Sequence, residues 1–343
     1  MGPRQPREAL VKRIFSGIQP TGSLHIGNYL GAMVNFLALQ ETREAIYCVV
    51  DYHALTVRPD PEELKERVRH VGLGYLAAGI DPEKAILFRQ SDVPEHTELA
   101  WILGCFTQIG ELSKMTQFKD KARQHKENVN AGLFTYPVLQ AADILLYKAE
   151  EVPVGEDQAQ HLELSRDIAR RFNNHYGPTF PEPATLLSEA RRILGIDGEQ
   201  KMSKSKNNEI GILDPPEVIQ QKLRIAKTDE ARKRRSDPGE PSRCNVYTWH
   251  TFFTPGPERE ELAKGCREAG IGCVECKKVL FRHMDAVLAP IRERHEELRA
   301  KGPGYVDEIL HEGGRKARAI AGETMAEVRE KVGLLPKPGG GGS

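Results

Sequence analysis

The chain has 343 residues, of which 39% are hydrophobic and 29% are charged, so it is long enough for two domains and has an ordinary globular composition. Its 49 basic and 49 acidic residues cancel, so contact with nucleic acid would require a local basic face rather than an overall positive charge. No apolar run approaches the roughly 20 residues of a membrane span. Residues 1–13 lack the apolar segment of a signal peptide, so we expect a cytoplasmic protein without a membrane partner.

Strand and helix signals alternate along the first part of the chain. A segment from Ile14 has the pattern of a strand, a turn and a helix, and apolar runs at 45–50 and 85–88 are typical of buried parallel strands. Between those runs, Asp60 before a proline predicts the start of a helix, and Gly79 predicts its end. The alternation continues to about residue 214. It predicts an α/β fold, a Rossmann-like doubly wound parallel sheet that binds ligands at the carboxyl ends of its strands.

Helical patterns replace this alternation after residue 214. We expect a catalytic domain at 13–214, a smaller all-helical domain at 215–304 and a C-terminal helix at 305–335 that packs back on the catalytic domain. The segment 339–343 reads as a flexible tail or as residues appended for expression. Basic residues crowd into one short stretch, which is either a phosphate-contacting face or a solvated helix face: Lys222, Arg224, Lys227, Arg232, Lys233, Arg234 and Arg235.

Two short strings carry the strongest chemical signal, His-Ile-Gly-Asn at 25–28 and Lys-Met-Ser-Lys-Ser at 201–205. The first follows a glycine-rich turn at a helix start, where phosphates bind readily, and it places His25 to donate a hydrogen bond to an α-phosphate in its transition state. The second carries Lys201 and Lys204 on a stretch too polar for a core, able to close over departing pyrophosphate. Either string alone is equally a glycine-rich turn or a solvated basic loop. Together they predict activation of a carboxylic acid by ATP.

Both strings resemble the signatures of class I aminoacyl-tRNA synthetases. Longer stretches, at 15–32, 51–56, 136–147 and 152–161, resemble tryptophanyl-tRNA synthetases, and the resemblance extends over about 13–335. One departure from the class signature is Asn28, where many members have His. The resemblance implies a ligase that uses ATP and Mg²⁺ to form tryptophanyl-adenylate and pyrophosphate. It then transfers the acyl group to the 3′-terminal ribose of tRNA(Trp).

The same resemblance implies a homodimer and an anticodon-binding role for 215–304. Tyrosyl-tRNA synthetase, which shares both signatures, is the nearest alternative. A paralogue that binds RNA or senses redox state without catalysis is a more distant alternative, since such a protein has no need of His25, Lys201 and Lys204.

The resemblance also implies the substrate contacts. An indole offers one N–H donor and no acceptor, and Asp143, in an otherwise apolar helix, resembles the family residue that accepts from it; the alternative is a capping or surface Asp. Gln140 lies where the family often has Met, and His53 reads equally as a satisfied histidine at a strand end. The implied tryptophan-binding residues are Phe15, Gly17, His53, Tyr136, Gln140, Asp143 and Gln158. The implied ATP-binding residues are Gln19, Pro20, Thr21, Gly27, Asn28, Gly155, Glu156, Asp157, Ile193, Lys201, Met202, Ser203, Lys204 and Ser205, with His25, Lys201 and Lys204 catalytic.

The six cysteines fall into two groups. Cys48 and Cys105 lie in apolar stretches and are predicted core residues. The other four form C-x21-C-x6-C-x2-C, whose long gaps fit zinc spacing poorly, whereas four thiolates suit a [4Fe–4S] cluster: Cys244, Cys266, Cys273 and Cys276. Some tryptophanyl-tRNA synthetases resemble the chain over 234–278 and hold such a cluster near the anticodon-binding surface. The resemblance therefore implies a cluster here, with Zn²⁺ or unligated cysteines as the alternatives.

Overall fold

The computed structural model describes residues 11–20, 22, 24–124, 127, 129–155, 158–187 and 193–335. Within these ranges the strands are β1 (Arg13–Ile18), β2 (Glu44–Val49), β3 (Ala85–Arg89), β4 (Glu151–Val154) and β5 (Ala184–Leu187). The α-helices, in chain order, are α1 (Ile26–Asn28), α2 (Val34–Leu39), α3 (Asp51–Ala54), α4 (Pro61–Ala78), α5 (Glu95–Gly104), α6 (Ile109–Leu112), α7 (Thr116–Gln124), α8 (Ala131–Leu145), α9 (Ala159–Tyr176), α10 (Pro216–Ile225), α11 (Asn245–Phe253), α12 (Gly256–Arg267), α13 (Cys273–Ala300) and α14 (Pro303–Lys331). A π-helical turn, Tyr29–Met33, joins α1 to α2.

The five strands form one parallel sheet in the order β3-β2-β1-β4-β5. The chain winds outward from β1 to β3 and then crosses back to add β4 and β5 on the other side of β1. The order of the strands therefore reverses between β1 and β4, which is where doubly wound sheets bind ligands, at the carboxyl ends of the strands. The predicted fold class is confirmed.

The local signals act as predicted at α4. The Asp60 carboxylate accepts from the backbone N–H groups of Glu62 and Glu63 at 3.0 and 3.1 Å, and a proline occupies the first helical position. The helix ends at Gly79, whose φ of 116° favours glycine. The helix thus has its donors satisfied at one end and a sharp stop at the other.

Side chains on both faces of the sheet are buried, which gives two apolar cores. Along β1, Ile14 and Ile18 belong to the first core and Phe15 to the second. The first core continues past α4 into α10, α11 and α13 and includes the fully buried Trp249. The second lies among α5, α8, α9 and α14. The C-terminal helices therefore share the core of the sheet rather than forming one of their own.

Two long helices join the C-terminal region to the sheet. Helix α13 packs along α4, where the rings of His70 and His295 lie 6.2 Å apart. Helix α14 rests on β3, and a Cβ atom added at Gly313 would collide with the carbonyl oxygen of Leu87. The bounds of the domains at 214 and 304 stay predictions.

Two expectations about burial are wrong. Cys48 is fully buried as predicted, but Cys105 is exposed, because it lies just past the end of α5 where the chain turns outward. The polar segment 198–208 also contributes to the core, since Met202 and Asn208 are buried. Among the described residues, none of the helices combines the length and the apolar character needed to cross a membrane.

Candidate active site

A cleft of about 460 Å³ opens at the switch point of the sheet. Its walls come from the carboxyl ends of β1 and β4, the bent α1–α2 segment and α8. All seven predicted tryptophan-binding residues line it, as do three of the predicted ATP-binding residues, Gln19, Asn28 and Gly155. The structure therefore brings together residues that are spread over more than 140 positions, from Phe15 to Gln158.

Asp143 is the most constrained group in the cleft. It is 1% exposed, and its Oδ1 accepts from Gln90 Nε2 at 2.6 Å and lies 2.7 Å from His96 Nδ1. Its Oδ2 lies 2.8 Å from His53 Nε2. Burial raises the pKa of Asp143, but the contacts with His53 and His96 outweigh burial and bring the pKa down to about 2. The side chain is a buried anion, not the capping or surface Asp that the sequence left open.

Two of the three groups that contact Asp143, Gln90 and His96, are themselves held in place. The backbone N–H of Tyr52 donates to Gln90 Oε1 at 3.1 Å, which turns the amide nitrogen of Gln90 toward Asp143. His96 Nε2 lies 2.8 Å from the hydroxyl of Tyr147. Because the phenol needs an acceptor and the carboxylate needs a donor, the network assigns the proton of a neutral His96 to Nδ1.

A second chain of hydrogen bonds supports the other wall of the cleft. His161 Nε2 lies 3.0 Å from the hydroxyl of Tyr136, and His161 Nδ1 lies 3.1 Å from Gln158 Oε1. Gln140 Nε2 donates to the same Gln158 oxygen at 3.3 Å. By the same reasoning Tyr136 gives its proton to His161 and presents its oxygen as an acceptor. A cationic group in the cleft would be favoured at this wall.

His25, the first residue of the first signature string, caps helix α1, which begins at Ile26. Its Nδ1 accepts from the backbone N–H of Asn28 at 3.3 Å, and its own N–H donates to Asn28 Oδ1 at 3.1 Å. Burial, and then the charge of Lys201, lowers the pKa of His25 to about 4. The imidazole is therefore neutral near pH 7 and carries its proton on Nε2. Asn28, the departure from the class signature, closes this capping box.

The second signature string lies directly against the first. The backbone of Ile26 donates to Ile210 at 2.9 Å, and a Cβ added at Gly27 would lie 3.5 Å from the Met202 side chain. The side chain of Lys204 crosses Gly22, whose missing Cβ would lie 3.0 Å from the Lys204 Cδ atom. Two strings far apart in sequence thus form one surface.

Buried Asn208 anchors the base of this lysine-bearing loop. Its Oδ1 accepts from the backbone N–H of Ser203 at 2.8 Å, and its Nδ2 donates to Asp197 Oδ2 at 2.8 Å. The backbone N–H of Met202 donates to the Ile193 carbonyl at 3.0 Å, so Ile193 supports the loop and is not among the residues that line the cleft. Thr21, Glu156, Asp157 and the tail 339–343 lie outside the described residues, as does the side chain of Ser205.

The four C-terminal cysteines line one small cavity, together with Arg232. Arg232 Nη1 lies 3.8 Å from Cys266 Sγ and 4.0 Å from Cys273 Sγ, and Cys276 Sγ lies 3.2 Å from His250 Nε2. Burial raises the pKa of Cys276 to about 12. Across the described ranges, no group of three or more His, Cys, Asp or Glu side chains is arranged to hold a metal ion.

The basic stretch divides into internally paired and outward-facing members. Lys222 pairs with Asp214 at 2.7 Å, and Arg232 donates to the carbonyl oxygens of Arg235 and Ile271. Lys227 pairs with Glu199 and Glu230. Arg235 is exposed and pairs with Glu275 at 3.8 Å. The exposed remainder consists of Arg224, Lys233 and Arg234.

Sequence reasoning missed two histidines behind the cleft, and also Gln90, which donates to Asp143. His96 and His161 are both buried, and each lies in the first turn of a helix that follows the carboxyl end of a strand, β3 or β4. A polar residue at that position in a doubly wound sheet is the signal that would have found them. No local pattern links them to Asp143 or Gln158.

Comparison with known proteins agrees with this geometry. Residues 10–289 match the family model described as tRNA synthetases class I (W and Y). The tryptophan–tRNA ligase of Deinococcus radiodurans is 54% identical over 95% of this chain and 99% of its own length, and that of Thermotoga maritima is 46% identical over 94% and 99%. The structure of tryptophanyl-tRNA synthetase from Campylobacter jejuni complexed with ADP and tryptophan superimposes with a TM-score of 0.84 at 38% identity, covering 94% of this chain and 100% of that one. The chain therefore belongs to the class I tryptophanyl- and tyrosyl-tRNA synthetases, and within them to the tryptophan–tRNA ligases.

Proposed function

We propose that the cleft activates L-tryptophan with ATP and then charges tRNA(Trp), with the tryptophan side chain at Asp143 and the triphosphate between the two signature strings. The observation that carries this assignment is the buried anionic Asp143 at the back of a cleft whose wall, at Asn28, is continuous with His25. The ionised carboxylate of Asp143 carries no proton and can only accept, so it favours a ring that has an N–H to donate. A ring without that N–H leaves the buried anion with one partner fewer, which costs about 1–3 kcal/mol.

The amino acid is held at both ends. Tyr136, held through His161, accepts from the substrate ammonium, while Phe15, Gly17 and His53 surround the ring. Gln158 accepts from the same ammonium once Gln140 gives up its 3.3 Å contact with Gln158 Oε1 and frees a lone pair there. Gln140, where the family often has Met, adds an amide to this wall.

The chemistry needs no protein nucleophile. The tryptophan carboxylate attacks the α-phosphorus in line, and pyrophosphate leaves. His25 donates from Nε2 to the phosphoryl oxygens, where charge develops, and Lys201 and Lys204 neutralise the leaving group. Mg²⁺ enters with the nucleotide, since it usually keeps several waters and binds through substrate phosphates.

Amino-acid-dependent ATP–pyrophosphate exchange tests the assignment. Exchange should depend on tryptophan, with tyrosine poorer by about 5- to 150-fold, the range that roughly 1–3 kcal/mol of discrimination gives. Lys201→Ala and Lys204→Ala should each lower kcat with little change in the KM for tryptophan. Lys206→Ala, an exposed lysine two residues along the loop, is the matched control. Exchange supported equally by tyrosine would overturn the assignment.

We propose that Cys244, Cys266, Cys273 and Cys276 hold a [4Fe–4S] cluster, with Zn²⁺ as the alternative. The support is that the four thiols face one cavity; against it, the thiols are not arranged for a single metal ion. Four thiolates suit a [4Fe–4S] cluster, whereas the long gaps between Cys244, Cys266 and Cys273 fit zinc spacing poorly. Binding must release protons, since burial raises the pKa of Cys244, Cys266 and Cys276. Iron and zinc analysis with a visible spectrum, on protein purified without oxygen, decides between the two metals.

We propose that the outward-facing basic residues contact tRNA phosphates. Arg224, Lys233 and Arg234 are exposed beside the cysteine cavity, in the region 215–304 to which we assign anticodon binding. Replacing Lys233 and Arg234 with alanine should lower the slope of log affinity against log salt by about 1 for each charge. Lys65→Ala, on α4, is the control that leaves the slope unchanged.

We also propose a homodimer. Large apolar side chains of the catalytic domain are exposed, among them Trp101 at 79% and Ile109 at 76%, and an interface would cover such residues where they lie together. Leu55, Val57 and Val129 are exposed near one another, where Asn130 Nδ2 donates to the carbonyl of Thr56. Sedimentation of Trp101→Asp should give a monomer, and a wild-type monomer would contradict the proposal.

A further inference from the structure

Tyr147, His96 and Asp143 form a linear chain of hydrogen bonds behind the cleft wall, which we call the relay. The assigned activity does not by itself require Tyr147 or His96. The hydroxyl of Tyr147 lies 2.8 Å from His96 Nε2, and His96 Nδ1 lies 2.7 Å from Asp143 Oδ1. Tyr147 and His96 are both fully buried. Tyr147 also stacks on Phe15, with centroids 5.4 Å apart and planes 8° apart, so the relay is immobilised against a residue that lines the cleft.

The relay divides the two carboxylate oxygens of Asp143 into a saturated one and an open one. Oδ1 accepts from both Gln90 and His96, which uses its two lone pairs. Oδ2 accepts from His53 and, within the described part of the chain, from no other side chain. One acceptor direction therefore remains, and it lies on Oδ2.

We infer that Tyr147 and His96 are positioning residues that direct the open lone pair of Asp143 Oδ2 at the ring N–H of the substrate, and so set the enzyme's selection for indole. The inference rests on the proposed function, in which Asp143 accepts from tryptophan. Without His96, Oδ1 also has an open lone pair, and the carboxylate turns or takes up a proton or water. Without the Tyr147 hydroxyl, His96 Nε2 loses its donor, and among these contacts only the one with Asp143 still fixes the orientation of the ring.

The test compares L-tryptophan with L-3-(3-benzothienyl)alanine, which replaces the ring N–H by sulfur and keeps the shape. The readout is the ratio of kcat/KM for the two substrates in ATP–pyrophosphate exchange. His96→Leu should lower this ratio about tenfold or more, the order expected when a hydrogen bond to a charged group is lost, and should leave kcat/KM for the analogue within about threefold. His96→Asn keeps an N–H near the position of Nδ1 and should retain most of the selection.

Tyr147→Phe is nearly isosteric and carries the test if His96→Leu does not fold. It should lower the ratio by an intermediate amount, whereas Tyr305→Phe, at the start of α14, should not change it.

An equal loss for both substrates in His96→Leu and Tyr147→Phe would mean that the relay only supports the fold, and would overturn the inference. Asp143→Asn separates this failure from failure of the proposed function. If Asp143→Asn lowers the ratio and the relay variants do not, only the relay is wrong. If Asp143→Asn leaves the ratio unchanged, Asp143 does not select the indole, and the relay inference fails with it.

Discussion

Replacing Gly313 with alanine tests how closely α14 rests on the sheet. The added Cβ would meet the backbone carbonyl oxygen of Leu87 in β3, and a carbonyl in a paired strand cannot rotate away. Gly322, in the same helix, has nothing within 4 Å of an added Cβ. Gly322→Ala is therefore a matched control.

The difference between these two variants isolates the collision. Alanine in place of glycine stabilises a helix interior by about 1 kcal/mol, and this gain is common to both. Overpacking costs about 1–3 kcal/mol, and we expect the upper part of that range at Gly313 because its neighbour is backbone. Gly322→Ala should raise the free energy of unfolding slightly. The free energy of unfolding of Gly313→Ala should be lower than that of Gly322→Ala by about 2–3 kcal/mol.

The same substitution should reach the active site. Gln90 follows directly from β3 and donates to Asp143, so a shift of the end of β3 displaces one of the donors that hold the carboxylate. Urea unfolding measures the stability of both variants, and pyrophosphate exchange measures kcat/KM for tryptophan. Gly313→Ala should lower both quantities. If it were as stable and as active as Gly322→Ala, the close packing of α14 on β3 would be refuted.

Three further predictions concern titration, cysteine burial and surface charge. Burial lowers the pKa of His25 to about 4 from the usual 6.5. Between these pH values the unfolded chain therefore binds more protons than the folded chain, and stability falls as the pH falls. The difference in Tm between pH 5 and pH 7 should be smaller in His25→Ala than in the wild type. Cys48→Ser buries an extra hydroxyl and should lose about 1–3 kcal/mol of stability, whereas Cys105→Ser should be within about 0.5 kcal/mol of wild type in the same urea titration. Arg69 in α4 pairs with Asp307 in α14 through three contacts, at 2.8, 3.0 and 3.1 Å. Because the pair is partly exposed, a double-mutant cycle should give a coupling energy of no more than about 1 kcal/mol, and a larger coupling would contradict this assignment to the surface.

Local sequence patterns were enough to predict the fold class and the two signature strings. Apolar runs predicted β2 and β3, and Asp60 with Gly79 predicted both ends of α4, because these signals act within a few residues. Asp143 was found through resemblance to a family, and its burial follows from the apolar helix around it.

What the sequence could not predict depends on contacts between distant elements. The donors to Asp143 come from the turn after β3, from α3 and from α5, and nothing near His96 in sequence indicates that its ring faces Asp143. Met202 looked like part of a solvated loop, yet it is buried beside Gly27 in the other signature string. The exposure of Cys105 depends on where α5 ends, and an apolar pattern locates such an end only to within a few residues.

Helix α13 extends from the cysteine cavity to His295, whose neighbour His70 lies near Lys204 of the lysine-bearing loop. Its first residue, Cys273, lines the cysteine cavity, and 28 residues at 1.5 Å each make it about 42 Å long. Near its far end, His295 packs against His70, whose pKa is lowered by burial, by His295 and by the charge of Lys204. A tilt of about 5° at the cavity would move the far end by roughly 4 Å over this length. Pro290 has no N–H to donate, so α13 lacks one helical hydrogen bond there and should bend first at this residue. The roughly 17 residues before it form the stiff part of the helix that begins at the cysteine cavity.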